Sequence, residues 1–152
     1  MRIAVGADGN GIRLKDRIKE HLIELGHEVA DHGALGEDDI DYPDVAVVVA
    51  NAVADGSAER AVLVCGTGLG MAIAANKVAG VRAASVTDPY SAERAMKSND
   101  ARVLCLGARV VGAEVATLLV DHWIVSEFQG GASTRKVDKL KALDATREGE
   151  PA

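Results

Sequence analysis

The chain has 152 residues, 48% of them apolar and 26% charged, with a net charge of −6 at pH 7. This balance suits one globular domain around one hydrophobic core, and the scattered Lys and Arg of an acidic chain exclude a nucleic-acid footprint. No apolar run approaches the roughly 20 residues needed to span a bilayer, and two cysteines and four histidines lack the spacing of a disulfide framework or zinc site.

Short apolar runs alternate with helical patterns along the chain. Residues 3–7 read as a first strand, ended by Asp8-Gly9-Asn10-Gly11. Ile12, Leu14, Ile18, Leu22 and Leu25 then recur at helical spacing, and Gly26 closes that helix. A weak second strand covers 28–30, and an acidic loop runs from 31 to 41. Pro43 starts a helix through Val45, Val49 and Val53 that stops at Gly56. Ala61-Val62-Leu63-Val64-Cys65 is a buried strand, followed by the turn Gly66-Thr67-Gly68-Leu69-Gly70 and a helix over 71–77. A fourth strand is expected over 81–86, a helix over 89–97, a fifth strand over 103–106 and a helix over 113–123. After Gly130-Gly131, a charged segment over 134–145 reads as a terminal helix.

Five strands, each followed by a helix, predict a Rossmann-like three-layer α/β/α domain with a five-stranded parallel sheet and a C-terminal helix. The domain is expected to fill residues 1–145, with a loose tail over 146–152. Its crossovers are expected to be right-handed. The N-terminus leads straight into a strand without a signal-peptide pattern, and the free thiols fit a reducing cytoplasm. Ligands of such folds bind beyond the carboxyl ends of the strands. That rule points to residues 8–11, 65–70 and 98–109.

Cys65 ends a strand before glycines and a helix N-terminus, surroundings that favour a reactive thiolate. The alternative is a buried core cysteine, the usual fate of a free thiol; Cys105, within a strand, reads as core. Gly66, Gly68 and Gly70 allow backbone to approach a phosphate, an oxyanion or a dinucleotide. The first turn, Gly6-Ala7-Asp8-Gly9-Asn10-Gly11, has the wrong spacing for a dinucleotide fingerprint, although Asp31 stands where a ribose-binding acid would. Asp8 either binds sugar hydroxyls or caps the first helix. Asn99 and Arg109 flank the fifth strand, and on position alone both read as structural. His21, His27, His32 and His122 carry no case for catalysis.

Three groups of residues together resemble the ribose-5-phosphate isomerase B and galactose-6-phosphate isomerase family. They are Val64-Cys65-Gly66-Thr67-Gly68-Leu69-Gly70-Met71 with Ala74-Ala75-Asn76-Lys77; Ser98-Asn99-Asp100 with Gly107-Ala108-Arg109-Val110-Val111-Gly112; and Gly6-x-Asp8-x-x-Gly11 with Asp41-Tyr42-Pro43. The likeness extends over about residues 1–145. It implies a sugar-phosphate isomerase that works through a cis-enediolate without metal or cofactor. Cys65 would move the proton between C1 and C2, and Thr67 and Asn99 would be catalytic with it. The glycine-loop amides and Asn99 would hold the enediolate oxygen. Asp8, Gly9, Tyr42 and Ser98 would line the sugar, and Arg109, Arg135 and Lys136 the phosphate. It also implies homodimers or tetramers with active sites shared between subunits. A base and a preformed oxyanion stabiliser are what proton abstraction beside a carbonyl requires.

Three positions depart from the family pattern. Gly9 and Ser98 stand where the family usually has histidine, and Ala132-Ser133 where it often has Arg-His; Arg135 and Lys136 lie nearby. The histidine missing at 98 is linked to opening a furanose ring. Ribose 5-phosphate cyclises through O4, whereas a tetrose 4-phosphate cannot, because its O4 is esterified. The run Tyr90-Ser91-Ala92-Glu93-Arg94-Ala95 with Ser98-Asn99 also resembles the erythritol-pathway branch. D-Erythrulose 4-phosphate and D-erythrose 4-phosphate are therefore the leading substrates, with ribose 5-phosphate as the alternative. A reading of another class is a non-catalytic sugar-phosphate-binding subunit.

Overall fold

The computed structural model describes residues 1–34, 36 and 40–147. Part of the acidic loop and the end of the tail, both addressed above, lie outside the described residues. The strands are β1 (Arg2–Ala7), β2 (Glu28–Asp31), β3 (Arg60–Cys65), β4 (Ala83–Ser85) and β5 (Val103–Gly107). The helices are α1 (Ile12–Glu24), α2 (Tyr42–Ala54), α3 (Leu69–Ala75), α4 (Pro89–Asn99), α5 (Ala113–Ile124) and α6 (Thr134–Arg147), with a 3-10 turn at Gly131–Ser133.

All strand pairs are parallel, in the order β2-β1-β3-β5-β4. The connection from β3 to β4 therefore skips one position, and β5 returns to fill it. Side chains alternate along the strands. Ile3, Val5, Val62, Val64, Leu104 and Leu106 pack with α1, α4 and α5 on one face. Ala4, Ala61, Leu63, Cys65, Val103 and Cys105 pack with α2 and α3 on the other. Burial on both faces is why these strands read as continuous apolar runs.

Element identities follow the sequence pattern, with differences at the ends. The third helix begins at Leu69 rather than residue 71, because Gly68 adopts a left-handed φ of +78° and starts the helix directly. The fourth strand is confined to three residues at the sheet edge. The fourth helix continues to Asn99, where Asp100 closes it in a left-handed conformation. Asp100 is held there by Arg82 and by Arg102 Nε at 3.2 Å. No helix among the described residues is long and apolar enough to cross a membrane.

Candidate active site

The chain leaves β1 toward β2 on one side and later enters β3 on the other, so the turns after β1 and β3 part at the carboxyl edge and open a crevice. Cys65, the last residue of β3, faces the α2/α3 side and is 5% exposed. Its Sγ accepts a hydrogen bond from the Gly68 N–H at 3.1 Å. This backbone donor fixes the position of the sulfur. Only glycine serves at 68, since a Cβ there would stand 2.9 Å from the Leu106 carbonyl carbon, in a left-handed backbone. Cys105 lies on the same face but inside the sheet, opposite Leu63. Burial pushes its thiol far above the ordinary range, and the neighbouring Cys65 adds to the effect. The two cysteines are thus separated by position: one at the strand's open end, the other sealed.

Asp8 does not cap α1, whose N-cap is Gly11 without a side-chain bond. Its carboxylate instead accepts the Asn10 N–H at 3.0 Å and the Asn10 amide at 3.4 Å. Asn10 Oδ1 accepts in turn from Arg109 Nη2 at 2.9 Å. A chain of bonds therefore ties the turn after β1 to the turn after β5, and the Arg109 side chain crosses Gly66. Gly9 and Thr67 are exposed at the tips of their turns, and Thr67 Oγ1 accepts the Leu69 N–H at 3.3 Å. Tyr42, at the start of α2, roofs α3; a Cβ on Gly70 would come within 2.7 Å of its ring. Asp8, Gly9, Tyr42, Cys65, Gly66, Thr67, Gly68, Gly70 and Arg109 thus gather at one edge. Asn10 was not singled out from sequence; its role emerges only from the contact between two turns. A cleft of about 690 Å³ lined by Gly9, Asn10, Arg13, Ala108 and Gly112 opens at the turns after β1 and β5, and Cys65, packed on the α2/α3 face, is not part of its lining. The N-termini of α1 and α5 meet there, which suits an anion.

Ser98 and Asn99 stand elsewhere, and this corrects the expectation that they share the ligand edge within one chain. A helix after a parallel strand runs back to the amino edge, so contiguity with β5 does not place them at its carboxyl end. Arg82, just before β4, donates from Nε to the Asn99 carbonyl at 3.0 Å. The five residues of β5 then put about 16 Å between the two edges. Ser98 Oγ is already engaged, accepting from Arg94 Nε at 2.9 Å and Nη2 at 2.6 Å. Gln129 Oε1 accepts from Arg94 at 3.2 Å, while the Gln129 N–H donates to the Lys97 carbonyl at 3.1 Å. The segment after Gln129 leads into α6, which carries Arg135 and Lys136 exposed in its first turn. Arg94 was also missed as a functional candidate; its four-residue spacing to Ser98 on one helix was the available signal.

Asp31 is committed to the fold. Lys15, fully buried, donates to it at 2.9 and 2.8 Å, Lys19 at 3.0 Å and the Gly33 N–H at 3.1 Å. Burial alone would raise the Asp31 pKa, but these donors hold it below the ordinary carboxylate range. Such a saturated carboxylate has no role to offer a ribose. Among the described residues, no group of three or more His, Cys, Asp or Glu is placed to hold a metal.

Comparison with known proteins agrees with this architecture. The family model "Ribose/Galactose Isomerase" matches residues 3–140. A D-erythrulose-4-phosphate isomerase of Pectobacterium atrosepticum is 49% identical, covering 92% of this chain and 93% of the relative. Ribose-5-phosphate isomerase B of Escherichia coli is 44% identical, covering 96% and 98%. The solved structure of Clostridium thermocellum ribose-5-phosphate isomerase B superposes with a TM-score of 0.95 at 44% identity, covering 97% of this chain and 99% of that one.

Proposed function

The chain belongs to the ribose/galactose isomerase family and is a sugar-phosphate aldose–ketose isomerase; from that premise we propose that it interconverts D-erythrulose 4-phosphate and D-erythrose 4-phosphate in the cytoplasm, with Cys65 as the base. The observation that carries the base assignment is the Cys65 sulfur at the open end of β3, bonded by the Gly68 N–H, on the same sheet edge as the turns that hold Asp8, Asn10 and Arg109. The thiolate takes the proton from C2 of the aldose. The electrons move toward O1, forming the cis-enediolate; a proton passes from O2 to O1, and the thiol returns its proton to C1. The Gly68 N–H serves the sulfur, leaving the oxyanion to the other glycine-loop amides and Asn99. Asp8, Gly9, Tyr42 and the Thr67 hydroxyl meet the sugar oxygens, and Arg109 meets the phosphate. Each oxyanion donor contributes about 10²–10³ in rate.

Asn99 lies on the opposite edge, so a second copy must supply it. In this reading a homodimer, alone or within a tetramer, joins the Cys65 edge of one protomer to the Asn99 edge of its partner, with Arg135 and Lys136 arriving on the same side. The exposed Tyr42, Val48, Leu69 and Ile73 on α2 and α3 offer an apolar face for that union. The tetrose preference is supported by Ser98, whose hydroxyl lacks the acid–base range of an imidazole for ring opening, and by the erythrulose-phosphate relative. Mixing tests the shared site. Cys65→Ala and Asn99→Ala, each nearly inactive alone, are expected to regain about one quarter of wild-type activity after unfolding and co-refolding, since half the dimers are mixed and each mixed dimer has one intact site. No recovery would place both residues' action within one chain or outside catalysis.

A further inference from the structure

The amino-edge half-site contains a cation whose arrangement the fold alone does not call for. Arg94 lies one helical turn before Ser98, and its Nε–Nη2 edge is fixed by Ser98 Oγ and Gln129 Oε1. Its nearest carboxylate oxygen in an ion pair, Glu93 Oε1, stands 3.8 Å from Nη1, beyond hydrogen-bond distance. Glu93 is drawn instead to Lys97 at 3.3 Å. The guanidinium is half-buried; two neutral oxygens take its Nε and Nη2 hydrogens, and Nη1, paired only loosely with Glu93, keeps its own hydrogens for another acceptor. Arginine stays charged at every physiological pH, so it cannot act as an acid or base here. What remains to it is to donate charge-assisted hydrogen bonds from Nη1 to an oxyanion.

The geometry points to Arg94 as a specificity-determining substrate ligand, locked by Ser98 and Gln129 so that its Nη1 binds the phosphate of a short open-chain sugar in the active site shared with a second copy. This rests on the shared-site reading above. Asn99, next to Ser98, is there assigned to the enediolate oxygen, so the Arg94 guanidinium stands near the reacting end of the substrate. A phosphate on C4 lies one carbon closer to that end than a phosphate on C5, a difference of about 1.3 Å along an extended chain. Arg94 thereby complements Arg109, which approaches from the other protomer's carboxyl edge. Ser98 and Gln129 are positioning residues, acting through the guanidinium.

The test compares wild type, Arg94→Leu and Arg94→Lys as assembled oligomers, with D-erythrulose 4-phosphate, ribose 5-phosphate and inorganic phosphate as inhibitor. Arg94→Leu is expected to raise the KM for D-erythrulose 4-phosphate about tenfold more than that for ribose 5-phosphate, with a smaller change in kcat. It is also expected to raise the inhibition constant of inorganic phosphate severalfold. Arg94→Lys keeps the charge without the lock on Ser98 and Gln129 and is expected to fall between the two; it decides the matter should the leucine variant fail to fold. Equal losses on both sugars with unchanged phosphate inhibition would overturn the proposal and leave Arg94 as a strut between α4 and the Gln129 segment. The outcome is separable from the parent readings. The wild-type ratio of the two sugars tests the tetrose assignment, and the Cys65→Ala/Asn99→Ala mixture tests the shared site.

Discussion

The carboxyl and amino edges of the sheet hold their polar groups by different means. At the carboxyl edge the backbone does the holding: the Gly68 N–H fixes the Cys65 sulfur, and the Asn10 N–H fixes Asp8. At the amino edge one side chain holds another, with Arg94 clamped by Ser98 and Gln129. Backbone donors tolerate sequence change and preserve geometry, which suits a proton transfer common to a family. Side-chain clamps are rebuilt by single substitutions, which suits the choice of substrate. On the reading proposed above, chemistry and selectivity would have separate addresses in one chain.

The largest effect should break the carboxyl edge alone. Cys65→Ala is expected to lower turnover by up to about 10⁴-fold, with circular dichroism and oligomeric state unchanged. Cys105→Ala, on the same face but sealed inside the sheet, is expected to alter mainly stability, by about 1 kcal/mol. A coupled isomerase assay separates them, and wild-type turnover in Cys65→Ala would return Cys65 to the core.

A second test removes the support behind that edge. Asp31→Asn strips Lys15 of its main counter-charge and is expected to cost about 3 kcal/mol in denaturant unfolding. The native Asp31 pKa is depressed, so its stabilisation is present above the ordinary carboxylate pKa and is lost as pH falls through the lower native value. The gap between wild type and variant is therefore expected to hold at pH 7 and to close only below about pH 4. A gap that stayed constant into strong acid would contradict the ion-pair account.

Next in size is the phosphate. Arg109→Ala is expected to raise the KM for phosphorylated sugars about tenfold or more, and much less for unphosphorylated analogues. Arg135→Ala and Lys136→Ala are expected to give smaller shifts of the same kind. Equal losses on both substrate types would make Arg109 a tether for Asn10. The smallest expected change comes from Ser98→His, which restores an imidazole and is expected to narrow the preference for tetrose over pentose phosphate, measured as a ratio of kcat/KM values.

Much of this organisation was legible in the residue pattern. The two-face burial of residues 61–65 and 103–106 announced a parallel sheet, and the carboxyl-end rule found Asp8, Cys65 and Arg109. Strand order was not legible, because crossovers of similar length allow β5 on either side of β4. The position of Asn99 was misjudged by treating nearness to β5 in sequence as nearness to its carboxyl end. Asn10 escaped because its partner Arg109 belongs to a distant segment, whereas Arg94 had a readable partner in Ser98 one turn away and only its bond to Gln129 was hidden by distance. Asp31 resembled a ligand-binding acid until Lys15, an apparently ordinary helix lysine, proved fully buried against it.

The measurement that bears most directly on the proposed activity is the wild-type ratio of kcat/KM for D-erythrulose 4-phosphate to that for ribose 5-phosphate, on purified enzyme at one pH. General acid–base assistance to ring opening is worth about 10²–10⁴-fold, and the tetrose phosphate needs none. A ratio of at least roughly ten is therefore predicted, scaled conservatively from that range. A clear preference for ribose 5-phosphate would contradict the tetrose assignment while leaving the isomerase chemistry in place.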